Sequence, residues 1–154
     1  MKKTADEWFE AYGESHQNPT NKKIHWVCIP LIVMSLIGLL WGVAAPGMPW
    51  LNLGVALVVG SVVYYLSLSP KLAAGMLAVT AAMVAGVLGL QQLEPMGIPL
   101  WASSLAIFVL AWVGQFIGHK IEGKKPSFFE DLQFLMIGPL WLLGHIYRRN
   151  NIRY

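Results

Sequence analysis

The four histidines of this sequence are the residues best suited to chemistry, because imidazole nitrogens bind iron, zinc, copper and nickel. Each stands near the end of an apolar segment and none in the middle of one: they are His16, His25, His119 and His145. If those ends meet on one side of a membrane, the imidazoles can lie together, which predicts a metal site. The alternative is that each histidine lies separately in the membrane interface.

Amide and carboxylate side chains stand one helical turn from two of the histidines. Asn21 precedes His25 by four residues, Gln115 precedes His119 by four, and Glu122 follows His119 by three. Residues at these spacings share a helix face, and such groups orient metal-bound imidazoles. We therefore expect all three around the metal. Glu122 could also be a ligand, or could pair with a nearby lysine instead.

The small number of ligand-type residues limits the kind of centre. Membrane di-iron hydroxylases and desaturases need more histidines than four, so a mononuclear site is the most that this chain can build. A haem held by two histidines deep in facing helices is disfavoured, because these histidines lie at helix ends. The single cysteine, Cys28, excludes an internal disulfide, and no spacing typical of zinc-binding Cys/His motifs occurs.

The composition places these residues in a membrane protein. Of 154 residues, 56% are apolar and 12% are charged, whereas a soluble domain has about 25% charged residues. No Asp, Glu, Lys or Arg occurs between positions 24 and 70. The net charge is only +3, and the cations flank apolar segments rather than forming a free basic face, so we expect a lipid bilayer and no nucleic acid as partner.

We predict an all-α integral membrane protein, a single domain over 1–154. Proline and glycine breaks divide it into an N-terminal interfacial helix, four transmembrane helices and a kinked final segment, at 4–17, 24–45, 51–68, 72–93, 100–118 and 128–147. The last segment has an uncharged part shorter than a bilayer core of about 30 Å and contains Pro139. It should therefore re-enter or lie in the interface; five full spans with an external basic tail are the alternative.

The lysines predict the orientation. If four helices cross, every lysine lies on the same side as the N-terminus, and the outer loops carry none; they are Lys2, Lys3, Lys22, Lys23, Lys71, Lys120, Lys124 and Lys125. Because positive charges stay in the cytoplasm, the N-terminus and the histidine ends are predicted to be cytoplasmic. The compact chain suits a bacterial inner membrane.

One predicted helix carries small residues at a strict interval of four: Ala74, Ala78, Ala82 and Gly86. Small residues at this spacing let helix backbones approach closely in lipid. The stripe is therefore expected either to pack inside the bundle or to join two copies in a homo-oligomer.

Four blocks of the sequence form a specific pattern: H-x-N-P-x-N-x-x-x-H-x-x-x-x-P from His16 to Pro30, Q-F-I-G-H-x-x-E from Gln115 to Glu122, then P-S-F-F-E-D-L and I-G-P-L-W. With these blocks the chain resembles the Mpo1-like family, a membrane family that includes a 2-hydroxy fatty acid dioxygenase. The resemblance implies an Fe²⁺-dependent enzyme that uses O₂ to shorten a 2-hydroxy fatty acid by one carbon, an α-oxidation step. It implies His16, His25 and His119 as ligands, with His145 as a fourth candidate.

The implied substrate fits the predicted depth of the site. A fatty acid in a bilayer has its carboxylate at the headgroup level, where the histidine ends lie, and a 2-hydroxy acid can chelate a metal through its hydroxyl and carboxylate. The expected partners of that carboxylate are Lys22, Lys23, Lys120 and Arg148, and the expected proton donors are Tyr12 and Tyr147. The rival functions are a Zn²⁺-dependent lipid hydrolase or lyase, and a non-catalytic protein that binds lipid or a partner.

Overall fold

The chain folds into a bundle of helices. The computed structural model describes residues 3–123 and 128–154, with side chains described for 3–123 and 134–154. It is 79% helical, which confirms the predicted all-α class. The helices are α1 (Ala5–Gly13), α2 (Pro19–Trp41), α3 (Leu53–Leu68), α4 (Pro70–Gln91), α5 (Leu100–Glu122) and α6 (Phe128–Arg149), with a 3₁₀ turn at Glu94–Met96. Lys2, Lys124 and Lys125 lie outside the described residues.

Side-chain caps set the start of the helices near the histidines. The hydroxyl of Thr4 accepts a hydrogen bond from the Glu7 amide, and the Glu7 carboxylate accepts one from the Thr4 amide, forming a capping box at the start of α1. The Asn18 side chain accepts from the amide of Thr20 at 2.8 Å, and Pro19 opens α2. The connection between α1 and α2 is therefore short and fixed at its far end.

Three stretches of the described residues are long and apolar enough to cross a membrane: Pro19–Trp41, Pro70–Met96 and Leu100–Glu122. The remaining predicted span, 51–68, corresponds to α3, which has only 16 residues. At about 1.5 Å per residue this helix is roughly 24 Å long, less than a hydrocarbon core of about 30 Å. Among the described residues, three stretches are thus long and apolar enough to span a membrane, where the sequence predicts four transmembrane helices.

A hairpin accounts for the shortness of α3. Strands β1 (Ala44–Ala45) and β2 (Met48–Asn52) pair antiparallel around the break between the first two predicted transmembrane helices, and they include residues 44–45 and 51–52, which the sequence assigns to those helices. Gly47 supplies the left-handed backbone of the turn, with φ at 74°. The Asn52 side chain then accepts from the amide of Val55 and starts α3 late.

Helix α2 lies at the centre and has its most extensive contact with α5. Two glycines of α5 make this contact close. A Cβ at Gly114 would meet the thiol of Cys28, and a Cβ at Gly118 would lie 3.1 Å from Cε1 of His25. The backbone of α5 therefore passes directly beside the face of α2 that carries His25.

Helix α6 packs on one half of the bundle. Ile137 joins a buried cluster with Tyr12 and Ile29, and Leu140 joins another with Phe9 and Leu72. The buried cluster at the opposite end, formed by Ile37, Met83, Val87 and Leu100, includes no described α6 side chain. The re-entrant or interfacial course of the final segment stays a prediction.

The small-residue stripe of α4 does not pack inside the bundle. Ala74, Ala78 and Ala82 are all exposed, and only Gly86 is partly covered, by the side chain of Met34. The expectation of internal packing is therefore wrong for the three alanines, because α4 turns a different face inward, with Leu72, Ala73, Met76, Thr80, Met83 and Val87. Pairing of two copies through this stripe stays a prediction.

Candidate metal centre

Three of the four histidines form a compact group. Each of His16, His25 and His119 offers one ligand nitrogen, and these nitrogens all lie within 4.8 Å of one another. The ring centroids are 4.4 Å apart for His16 and His25, 5.0 Å for His25 and His119, and 5.5 Å for His16 and His119. The first two side chains are buried and the third is half-buried. We call these residues the histidine triad.

Three separate elements supply the triad. His16 lies in the connection between α1 and α2, His25 on the second turn of α2, and His119 in the last turn of α5. The Asn18 cap fixes where α2 begins, and Gly118 lets α5 approach it. The local sequence thus brings two helix ends and one connection to a single point.

Backbone carbonyls fix the orientation of two imidazoles. Nδ1 of His16 lies 2.6 Å from the carbonyl oxygen of Tyr12, and Nδ1 of His25 lies 3.0 Å from that of Asn21. Because a carbonyl can only accept, each Nδ1 must donate, which leaves the lone pair of a neutral ring on Nε2. Both Nε2 atoms are buried without a hydrogen-bond partner among the described residues. Such buried acceptors are costly, and a metal ion would satisfy both.

The protonation state of His16 suits metal binding. Burial lowers its pKa to about 4, and the nearby charges of His119 and Lys22 act in the same direction, against the hydrogen bond to Tyr12. The ring also stacks on Tyr12, with centroids 4.2 Å apart and planes within 9°. At neutral pH the imidazole is therefore neutral, and a metal ion would have no proton to displace.

Glu122 joins the end of α5 to the start of α2. Its carboxylate accepts hydrogen bonds from the amides of Gln17 at 2.7 Å and Asn18 at 2.9 Å, and from Nδ2 of Asn21 at 2.9 Å. These donors belong to the residue that follows His16, to the N-cap of α2 and to the first turn of α2. Glu122 lies outside the group of residues that could share a metal, and its contacts tie the end of α5 to the residues that follow His16.

The two amides predicted beside the triad are both buried. Asn21 is fully buried, and its Nδ2 also donates to the carbonyl of Ser15 at 3.3 Å. Gln115 lies one turn before His119 on α5 and is 8% exposed. The oxygens Oδ1 of Asn21 and Oε1 of Gln115 have no hydrogen-bond partner within 3–123 and 134–154. Two acceptors therefore remain open on helix turns that carry the triad.

The structure does not bring His145 to the triad. Its side chain is exposed, and the indole of Trp141 stands between the two, 5.7 Å from the ring of His16 and 6.4 Å from that of His145. Trp141 and His145 are one turn apart on the same face of α6. The indole of Trp141 therefore occupies the position beside the triad, and the imidazole of His145 lies on its other side.

The other predicted site residues lie in different places. The guanidinium of Arg148 pairs with Asp6 at 2.7 Å, and the hydroxyl of Tyr147 donates to the Lys71 carbonyl at 3.1 Å. Tyr12 is buried against His16. Lys22, Lys23 and Lys120 are partly or fully exposed on the helix turns that carry His25 and His119.

Two features of the site escape sequence reasoning based on ligand types. The spacing of Gly114 and Gly118 is the signal for the close approach of α5 to α2, and Trp141 could have been found from its position one turn before His145. Glycine and tryptophan side chains do not bind metals, yet the two glycines bring α5 close to His25 and Trp141 closes one side of the triad.

One comparison with known proteins gives a match. A family model described as 2-hydroxy-palmitic acid dioxygenase Mpo1-like matches residues 2–150, nearly the whole chain. No curated protein and no solved structure matches the chain significantly. The matched range includes every residue of the triad, as well as Asn21, Gln115 and Glu122. The chain belongs to the Mpo1-like family.

Proposed function

We propose that this protein is an Fe²⁺-dependent membrane dioxygenase that uses O₂ to shorten 2-hydroxy fatty acids by one carbon, an α-oxidation step. The observation that carries the proposal is the histidine triad, three imidazoles from distant parts of the chain with ligand nitrogens within 4.8 Å. The family description, a 2-hydroxy-palmitic acid dioxygenase, supports the substrate class.

His16, His25 and His119 would hold the iron, and their chemistry fits it. Imidazole is a common ligand of non-haem iron, and sites that activate O₂ keep coordination positions open. When bound, Fe²⁺ would supply electrons to O₂ and open positions for the hydroxyl and carboxylate of the substrate. Two of the three rings already have Nδ1 bound to a carbonyl and Nε2 open.

The remaining residues would position the ligands and the substrate. Glu122 holds the amides that follow His16, so it fixes that ring relative to α2. The open oxygens of Asn21 and Gln115 could accept a hydrogen bond from the 2-hydroxyl of the substrate. Among the predicted proton donors, Tyr12 is the one in contact with the triad, since it stacks on His16.

The substrate carboxylate would meet cations at the membrane surface. Lys22, Lys23 and Lys120 lie on the turns that carry His25 and His119, close to the depth at which a fatty acid presents its carboxylate. We place the N-terminus and the triad on the cytoplasmic side of a membrane, as the lysine distribution favours, and a bacterial inner membrane is the setting we propose.

The test is O₂ uptake by anaerobically purified protein loaded with Fe²⁺ and given 2-hydroxypalmitate. One O₂ per turnover should yield pentadecanoate, CO₂ and water, which balances the atoms of the substrate and O₂. Palmitate, which lacks the 2-hydroxyl, should give no uptake. Turnover by Zn²⁺-loaded protein without O₂ would overturn the proposal in favour of a hydrolase or lyase, and absence of any bound metal would favour a non-catalytic protein.

A further inference from the structure

An apolar groove runs between α2, α4 and α6. Its cavity has a volume of about 130 Å³, and its lining includes Pro30 of α2, Val79 and Met83 of α4, and Pro139 and Leu142 of α6. No charged side chain lines it among the described residues. The groove therefore suits a hydrocarbon chain.

A polar depression continues the groove at one end. His145, Arg149 and Asn150 line it, and it shares Trp26 and Ile146 with the apolar part. The two cavities thus adjoin each other at these two residues, and together they offer an apolar body and a polar mouth. The described lining of the mouth contains no carboxylate that could neutralise Arg149.

The two adjacent arginines of α6 differ in their contacts. Arg148 is bound to the carboxylate of Asp6 and the hydroxyl of Tyr154. Arg149 is exposed, and within the described part of the chain it makes no ion pair or side-chain hydrogen bond. Its charge is therefore available to an anion at the mouth of the groove.

We propose that this groove binds a single-chain lipid with a carboxylate headgroup, its hydrocarbon chain between α2, α4 and α6 and its carboxylate at Arg149. That the ligand is a fatty acid rests on the proposed function. The mouth lies one indole away from the triad, because Trp141 stands between His145 and His16. The groove would thus hold the acid beside the metal centre before it reaches the histidines.

The test uses the whole protein in phosphatidylcholine nanodiscs and palmitate with a photoreactive diazirine in mid-chain. Crosslinks should map to the groove lining, such as Pro30, Met83 and Leu142. The Arg149→Gln variant should lower labelling roughly three- to fivefold, as expected for one partly exposed ion pair. The variant Arg153→Gln, which removes an equal charge outside the groove, should label normally. The methyl ester of the probe should label wild type as weakly as the acid labels Arg149→Gln.

Several outcomes would overturn the proposal. Equal labelling of wild type and Arg149→Gln would remove the carboxylate partner, and crosslinks absent from the groove would remove the site. Displacement of the probe by phosphatidylglycerol but not by 2-hydroxypalmitate would assign the groove to a phospholipid headgroup. A Val79→Phe variant that fills the groove should lose labelling while its helical circular dichroism is kept; undiminished labelling would count against the site.

The experiment also separates this proposal from the proposed function. Labelling needs neither iron nor O₂, so a His25→Ala variant should label like wild type even though the triad is broken. If O₂ uptake fails while labelling of the groove persists, the enzymatic proposal falls and the lipid site stands. If labelling fails while uptake persists, the reverse holds.

Discussion

Two faces of the bundle carry small residues every four positions and differ in what they contact. On α5, Gly114 and Gly118 lie against Cys28 and His25 of α2. On α4, Ala74, Ala78 and Ala82 face outward. The difference lies in the neighbouring residues: the α5 face includes buried Gln115 and adjoins fully buried Asn21. Small residues allow close approach, and buried polar partners mark where close approach serves a site.

The same contrast extends to the sides of the molecule. The α2–α5 side holds the triad and its orphaned acceptors, whereas the α4–α6 side holds exposed His145 and a surface ion pair. Equivalent substitutions should therefore have unequal effects on the two sides, and the largest difference is expected at the histidines.

Replacing a histidine should separate the two sides most strongly. His25→Ala removes a buried ligand at the centre of the triad, and we expect loss of bound iron and of O₂ uptake to background. His145→Ala, beyond Trp141, should keep a full equivalent of iron. Iron content measured on both purified variants is the check. Equal iron loss in the two would mean that the ligand set includes His145.

A small-to-large substitution tests the two small-residue faces. In Gly118→Leu the new side chain would run into Asn21 and the ring of His25, so we expect destabilisation of about 1–3 kcal/mol together with loss of iron. The matched change Ala78→Leu on the exposed face should stay within about 0.5 kcal/mol. Unfolding in detergent, followed by circular dichroism, measures both. A destabilised Ala78→Leu protein that is also monomeric would show that α4 packs on copies of itself.

Removing the charge of Glu122 tests its positioning role. A glutamine keeps one acceptor but turns an N–H group toward donors that now bond a carboxylate, the amides of Gln17 and Asn18 and Nδ2 of Asn21. We expect iron affinity to fall by about 10–100-fold, as for other groups that hold ligands in place.

The control for Glu122 lies in the 3₁₀ turn that precedes the other end of α5. Glu94→Gln should leave iron affinity unchanged, because among the described residues that carboxylate accepts one hydrogen bond, from the amide of Leu100 at 3.4 Å. Competition with a chelator of known affinity gives the numbers. Unchanged affinity in Glu122→Gln would reduce its contacts to a helix-end cap without influence on the triad.

The positions of polar residues in the sequence decide which parts of the site could be predicted. The triad could be predicted because its members stand at the ends of apolar segments, and because two of them, His25 and His119, have an amide side chain one helical turn away. The orientation of α4 could not, because a helix that is apolar on every face gives no periodic signal of its buried side. The position of His145 could not be predicted for a related reason: the direction of α6 is set by tertiary packing of residues such as Ile137 and Leu140, which spacing alone does not reveal.

The smallest effect is expected at the ion pair that joins α1 to α6. Hydrogen bonds from Tyr154 and Arg148 lower the pKa of Asp6 from its usual 3.8. Because the folded-state pKa is the lower one, the stabilisation is present above pH 3.8 and is lost as the pH falls through the folded-state value.

Both side chains are mostly exposed, so the pair contributes well under about 1 kcal/mol. Asp6→Asn should therefore lower the unfolding temperature slightly at neutral pH and not at all in strong acid, whereas Glu10→Gln on the same helix should change it at neither. A large loss at neutral pH would mean that α1 depends on this pair for its place over the triad, and the α4–α6 side would then share in building the metal centre.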